Sequence, residues 1–294
     1  MSVGLTAANF APGVQVTLLP DSLGEVSGLA HSRLNPDIFW MHNDSGDQAR
    51  VYAVSRAGRL VGTFVLGGAR AVDWEAMAIG PAPNKGSYLY LADIGDNSGR
   101  RSDVQVYRVA EPAVSANQAA VRLTLPGVVT YHFTYEDGAR DAEAFMVDPL
   151  TGDFYVVSKR ELDGNRLYRA SAPSDSGMNT FRRVGTFGFT GTTAADISSD
   201  GLQVAIRRYS NSTVSPLTPP GLAASYWSRP NASISLVALL AQPGQVIPLV
   251  IEAQGEAIAF DTSGRGFYTT TEHGTIPNAI VARAPITFYQ KQND

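Results

Sequence analysis

The chain has 294 residues, 44% of them hydrophobic and 17% charged, and a formal net charge of −4 at pH 7. That composition suits a globular protein and argues against a large basic surface for nucleic acid. There is no cysteine, which excludes disulfides, zinc–thiolate sites, iron–sulfur clusters and cysteine nucleophiles. The most apolar stretch, Val237 to Ile251, is interrupted by Gln242, Pro243, Gln245 and Pro248 and is too short to span a bilayer. The opening residues, MSVGLTAANFAPGV, lack the basic-then-apolar pattern of a signal peptide.

In chain order, Gly13 to Leu19 (GVQVTLL) alternates as a strand does. A short phrase then recurs: EVSGLA from Glu25, DWEAMA from Asp73, DAEAFM from Asp141, AADISS from Ala194 and QGEAIA from Gln254. Each copy leads through a turn into a second apolar run. These runs are IFWMH from Ile38, Tyr88 to Ala92, FYVVS from Phe154, VAIRR from Val204 and FYTTT from Phe267. Third strands are predicted at VYAV from Val51, Val104 to Val109, RLYRA from Arg166, ISLV from Ile234 and AIVARA from Ala279. Fourth strands fit LVGTFVL from Leu60, Val121 to Tyr135, FRRVGTFGF from Phe181 and VIPLVI from Val246, with only Ile286 to Tyr289 in the last copy. The Pro- and Ser-rich segment Ser210 to Ser233 reads as a long loop.

Repeated sets of four antiparallel strands describe propeller blades. The expectation is an all-β, five-bladed β-propeller forming one domain over residues 1–294. Its blades fall at about 24–70, 71–138, 139–192, 193–252 and 253–290, and strand 13–19 completes the last blade and closes the ring. The alternative is a six-bladed ring with a divergent blade hidden in Ser210 to Ser233.

In a propeller the start of each first strand and the end of each second strand lie on one face. That face therefore collects Glu25, Asp73, Glu75, Asp141, Glu143, Asp196 and Glu256 from the first strands. The second strands add His42-Asn43-Asp44, Asp93 with Asp96 and Asn97, Ser158-Lys159-Arg160-Glu161, Arg207-Arg208 and Thr271-Glu272-His273. Crowded, partly buried carboxylates need protons, basic partners or a cation. Oxygen donors without cysteine favour a hard ion such as Ca2+. Glu75, Asp73, Asp141, Glu143, Asp196, Glu256 and Asp93 are the candidate metal ligands. Lys159, Arg207 and Arg208 either neutralise this ring or grip an anionic substrate, and His42 joins them as a candidate substrate contact. His273 is a candidate general acid or base.

Several blocks carry a family resemblance: GLAHSRLNPDIFWMHNDSGDQARVYAVSRAGR, VDWEAMA with ADIGDN, DAEAFMVDPLTGDFYVVSK and QGEAIAFDTSGRGFYTT. At these residues the chain resembles the phytase-like group of bacterial β-propellers, including uncharacterised relatives of the β-propeller phytases. The resemblance implies calcium at an acidic channel mouth, with Glu143 and Glu256 where that family has calcium-ligand glutamates and Asp73 matching an aspartate after the first blade. It also implies a secreted or periplasmic protein. The phytases have six blades, and their double-aspartate opening is replaced here by Glu25-Val26. The lysine-rich second strand of their first blade is replaced by His42-Asn43-Asp44.

The leading functional expectation is a metal-dependent hydrolase of a phosphoester or related ester, with Glu143, Glu256 and His273 in catalytic roles. A non-catalytic propeller that binds a glycan, peptide or protein on the same face is the alternative, and a glycoside hydrolase is the third reading. The expected partner is a small anionic molecule or a surface glycan or peptide, with no nucleic acid and no membrane span, and the chain is expected to be a monomer.

Overall fold

The computed structural model describes residues 9–44, 46–81, 86–210, 221–252, 254–276, 279–281 and 283–292. Nearly all the regular structure is β. Strands β1 (Asn9–Phe10) and β2 (Val14–Leu18) precede the first repeat. The first unit is the meander β3 (Val26–His31), β4 (Ile38–Asn43), β5 (Arg50–Ser55) and β6 (Leu60–Leu66). In the second unit, β7 (Trp74–Pro81), β8 (Ser87–Asp93) and β9 (Val104–Ala110) pair in order, and β11 (Val129–Tyr135) lies on β9. The intervening β10 (Val121–Leu125) instead adds in parallel to β6 of the first unit.

The span Val121 to Tyr135 is therefore two strands in two units. Pro126 cannot donate a ladder hydrogen bond and Gly127 takes φ 70°, so the chain turns there.

The third unit is β12 (Ala142–Val147), β13 (Phe154–Ser158), β14 (Arg166–Ala170) and β15 (Met178–Thr186). Its outer strand runs parallel to β11 and joins the second and third units edge to edge. The fourth unit is β16 (Thr192–Ile197), β17 (Gln203–Ser210), β18 (Gly221–Ser228) and β19 (Gln245–Pro248). The strand expected from Ile234 is absent. Residues Leu236–Leu240 form helix α1, which Ser235 caps by accepting from the Ala238 N–H. The helix buries Leu236, Leu239 and Leu240, an i, i+3, i+4 spacing that only a helix puts on one side. The third strand is β18, inside the segment read as loop; residues 211–220 lie outside the described ones.

In the last unit, β20 (Gly255–Phe260) and β21 (Gly266–Thr271) are followed by the short hairpin β22 (Gly274–Ile276) and β23 (Ala279–Val281). The strand that pairs with β21 is β24 (Pro285–Gln292), so the third-strand assignment at Ala279 shifts to Pro285. On its far side β24 pairs antiparallel with β2, and with β1 at its end. The first and last described strands thus share one sheet.

Strands β3, β7, β12, β16 and β20 are innermost: each packs against the next, and β20 packs against β3. Small residues (Gly28, Ala30, Ala76, Ala78, Ala144, Ala195, Ala257 and Ala259) let them converge. Five apolar clusters fill the wedges between successive units, the last lying between the final unit and the first. This is a β-propeller. Among the described residues no helix is long and apolar enough to cross a membrane.

Candidate functional site at the channel mouth

Every innermost strand slips register with its neighbour by one residue near its start. The slips fall between Val26 and Gly28, Trp74 and Ala76, Ala142 and Ala144, Thr192 and Ala194, and Gly255 and Ala257. The extra residues are Ser27, Glu75, Glu143, Thr193 and Glu256. A bulge re-aims a side chain out of the regular pleat. All five carry oxygen, and none is more than 5% exposed.

These slips align the repeats more sharply than the sequence phrase does. The fourth copy starts at Gly191, three residues before Ala194, so Thr193 holds the place given to Asp196. Asp196 lies toward the opposite end of its strand, where it accepts the Phe260 N–H at 2.7 Å and lines a small cavity with His31, Arg33 and Asp261. Burial pushes its carboxyl up to about 6. It does not join the other acids. In the first copy the matching residue is Ser27, two positions after Glu25.

A second layer comes from the strand-two ends. The same backbone bond recurs around the ring: Asp44 N–H to Glu25 O, Lys159 N–H to Asp141 O, Tyr209 N–H to Gly191 O and Glu272 N–H to Gln254 O. In the second unit the donor comes one residue later, Gly95 N–H to Asp73 O. Asp44, Lys159, Tyr209 and Glu272 are thereby placed over the bulge residues.

The acids converge around Glu75. One oxygen each of Asp44, Asp73 and Glu75 lie within 4.8 Å of one another, and the same holds for Glu75, Asp141 and Glu143. Gly95 is required here. A Cβ on it would sit on carboxylate oxygens of Glu75 and Asp73, so the loop backbone and the carboxylates share a space no side chain can enter. Lys159 Nζ pairs with Glu143 Oε2. Ser27 Oγ lies 2.8 Å from Glu75 O and 3.3 Å from Glu75 Oε2, and Thr193 Oγ1 donates to Gly255 O at 2.7 Å. Gln254 Nε2 donates to Glu272 at 2.6 Å.

Burial dominates the electrostatics. It pushes Glu143 up to about 8 against the pull of Lys159, and Glu272 up to about 8 with Glu256 adding repulsion. Glu75 and Glu256 are raised for the same reason, and Asp73 rises to about 6. Lys159 is held charged by Glu143 and Glu256 despite its own desolvation. One lysine thus faces more carboxylates than it can neutralise.

Other sequence-derived candidates lie elsewhere. Asp93 is fully buried, accepts the Val72 and Asp73 N–H groups at 3.1 and 3.0 Å and pairs with Arg101 at 2.7 Å. Its oxygens are committed to holding the loop, not to a metal. Arg207 is fully buried, pairs with Glu252, and donates to Ala257 O and Thr270 O at 2.8 and 2.7 Å. It ties the fourth unit to the fifth instead of facing substrate. Arg208 is buried over the Phe189 ring, 4.6 Å from its centroid. His42 is fully buried against Gly28 and Trp74, and desolvation keeps it neutral, so it is not a substrate contact. His273 packs on Gly24 and is in neither carboxylate group. Arg160 pairs with Asp141 and Asn97 at the rim.

Sequence reasoning put Asp44 and Glu272 on this face without giving them a role, and it passed over Ser27 and Thr193. Aligning the copies on the residue before the first small strand position (Gly28, Ala76, Ala144, Ala194, Ala257) would have found the last two.

No family model matches the chain, and no curated protein does. Solved structures do. A glucose dehydrogenase superposes with a TM-score of 0.50 at 10% identity, covering 97% of this chain and 99% of that one. The WD40 repeats of RRP9 give 0.44 at 11% identity over 98% and 100% of the two chains. A chain of a nidogen/laminin complex gives 0.45 at 12% identity over 84% and 72%. At such identities the likeness is one of β-propeller fold alone.

Proposed function

We propose that this chain is a five-bladed propeller that holds a hard divalent cation, calcium first, at the mouth of its channel. We propose further that it is a metal-dependent hydrolase of a phosphoester or related ester. The observation that carries the reading is the ring of bulge residues Ser27, Glu75, Glu143, Thr193 and Glu256. Five innermost strands packed in a cycle supply one oxygen-bearing side chain each. All five are oxygen donors, the ligand type calcium takes; the carboxylate oxygens that lie within 4.8 Å of one another are those of Asp44, Asp73 and Glu75, and of Glu75, Asp141 and Glu143. Three buried glutamates facing one lysine leave a charge deficit that a cation offsets. Asp44 from the first unit, Asp73 from the second and Asp141 from the third extend the set around Glu75.

A cation held there would lower the pKa of a coordinated water and offset negative charge that develops on the substrate. Lys159 is the cationic side chain nearest the glutamates, and its Nζ can move from Glu143 to an incoming anionic oxygen. With Glu143 and Glu256 held as carboxylates by the cation, Glu272, which accepts from Gln254 beside this group, is the further carboxyl that could take or give a proton there. The resemblance to β-propeller phytases supports the same reading at the level of the wider group.

The non-catalytic reading is favoured by one observation: of the four expected substrate contacts, Arg207, Arg208 and His42 are engaged elsewhere and only Lys159 stands with the glutamates. One experiment separates the two. Thermal melts with chelator, calcium and magnesium are run beside hydrolysis of p-nitrophenyl phosphate and bis-p-nitrophenyl phosphate. The hydrolase reading expects a calcium-dependent rise in Tm and turnover, both lost in Glu143→Gln and Glu256→Gln. A calcium-dependent Tm without turnover of either ester supports the binding module. No response to any cation removes the metal centre.

A further inference from the structure

Three arginines are buried among the described residues: Arg207, Arg208 and Arg229. Two have carboxylate partners, Glu252 for Arg207 and Asp148 for Arg229. Arg208 has none among the described residues; the Nε atoms of all three lack a hydrogen-bond partner, so the missing carboxylate is what sets Arg208 apart. The segment that follows it, residues 211–220 (NSTVSPLTPP), contains no acid. Burying a guanidinium without an anion is costly, and folds seldom leave that cost uncompensated.

Arg208 lines a cleft of about 350 Å3 between the third and fourth units, apart from the channel mouth. The cleft walls are Phe187, Phe189, Trp227, Leu240 and Val246, and no acid lines it. Phe187 and Phe189 are stacked at 4.7 Å, and Phe187 tilts onto Trp227 at 6.0 Å. The Trp227 indole N–H is already committed to Gln242 O at 2.8 Å, so Trp227 offers the cleft its apolar surface. The volume is in the range of small-molecule sites, which pair apolar walls with a few polar groups.

We propose that this cleft is a second ligand site, taking a small carboxylic acid with an aromatic or branched aliphatic body. The carboxylate would meet the Arg208 guanidinium, and the body would lie against Phe187, Phe189 and Trp227. One cation matches one negative charge, and the planar guanidinium matches a carboxylate fork. The aromatic walls favour an apolar body over a bare inorganic anion. The proposal does not rest on the metal centre.

Titration calorimetry with phenylacetate, 3-phenylpropionate, phenylacetamide, phenyl phosphate and inorganic phosphate tests it. At least one of the two carboxylates should bind saturably, one per chain, and at least tenfold tighter than neutral phenylacetamide and inorganic phosphate. Arg208→Met should weaken that binding at least tenfold, and Arg208→Lys should recover part of it. Arg208→Met should keep the parent's circular dichroism spectrum, so that the loss of binding is not a loss of fold. The proposal is overturned by phenylacetamide binding as well as phenylacetate, by unchanged binding in Arg208→Met, or by no binding of either carboxylate at 10 mM. Phenyl phosphate binding tightest would overturn the choice of a carboxylate.

Discussion

Gly95 shows how much one residue decides at the mouth. Its lack of a Cβ lets the loop after β8 close on Glu75 and Asp73. Gly95→Ala must push those carboxylates apart or lift the loop, a strain of about 1–3 kcal/mol. We expect calcium affinity to fall at least tenfold with the fold retained; calorimetry with calcium and circular dichroism check both. Unchanged affinity would place the cation away from Glu75.

The glutamates also predict a pH dependence. Their folded-state carboxyls are raised, Glu143 and Glu272 to about 8, against about 4.3 in an unfolded chain. The folded state therefore keeps protons that the unfolded chain releases. This contribution to stability is complete below about pH 4.3 and is lost as pH rises toward 8. Without metal, Tm should decline between pH 5 and pH 8. Calcium replaces those protons, so the rise in Tm it produces should grow over the same interval. A calcium effect as large at pH 5 as at pH 8 would contradict this.

Among elements, the joint between β17, β20 and β21 depends on another close approach. A Cβ on Gly255 would overlap the Arg207 guanidinium, which pairs with Glu252 and holds two carbonyls. Gly255→Ala should break this buried pair and cost about 3 kcal/mol or more. Urea denaturation would show it as a lower midpoint with an unchanged slope; a midpoint equal to the parent's would refute the joint.

The same element scale explains which strands were legible. Alternation and turn residues announce β4, β5, β6, β8, β9, β13 and β14, because each is a short apolar run between polar turns. Helix α1 and the hairpin β22–β23 were not legible. LVALL and AIV are apolar runs that suit either a strand or a helix segment, and packing against β15 and β18 decides for α1. The destination of β10 was hidden as well. Its residues are mostly exposed, and only the neighbouring unit's edge assigns them.

At the scale of the whole molecule, the first and last described strands meet in one sheet. β2 covers the edge of β24, and Leu19 just after it is fully buried. Deleting residues 1–18 would bare the long edge of β24 and open the cluster around Leu29, Phe39 and Tyr268. We expect a lower Tm and concentration-dependent association, read by differential scanning calorimetry and light scattering. A monomer with the parent's Tm would show that β2 adds nothing to closure.

By itself, the sequence determined the all-β class, the repeat, the absence of thiolate ligands and the concentration of acids at the strand starts. These are local properties: alternation, turn chemistry and residue type follow from neighbours in the chain. Only the tertiary structure decided which polar groups share the axis. Asp196, Asp93, Arg207 and His42 look equivalent to their counterparts in the sequence phrase, yet a three-residue offset or an inward turn of the strand buries them elsewhere. Ser27 and Thr193 look ordinary and stand beside Glu75, Glu143 and Glu256. A bulge moves a side chain from one face of a strand to another without changing its neighbours in sequence, so the ring exists only once the strands are paired.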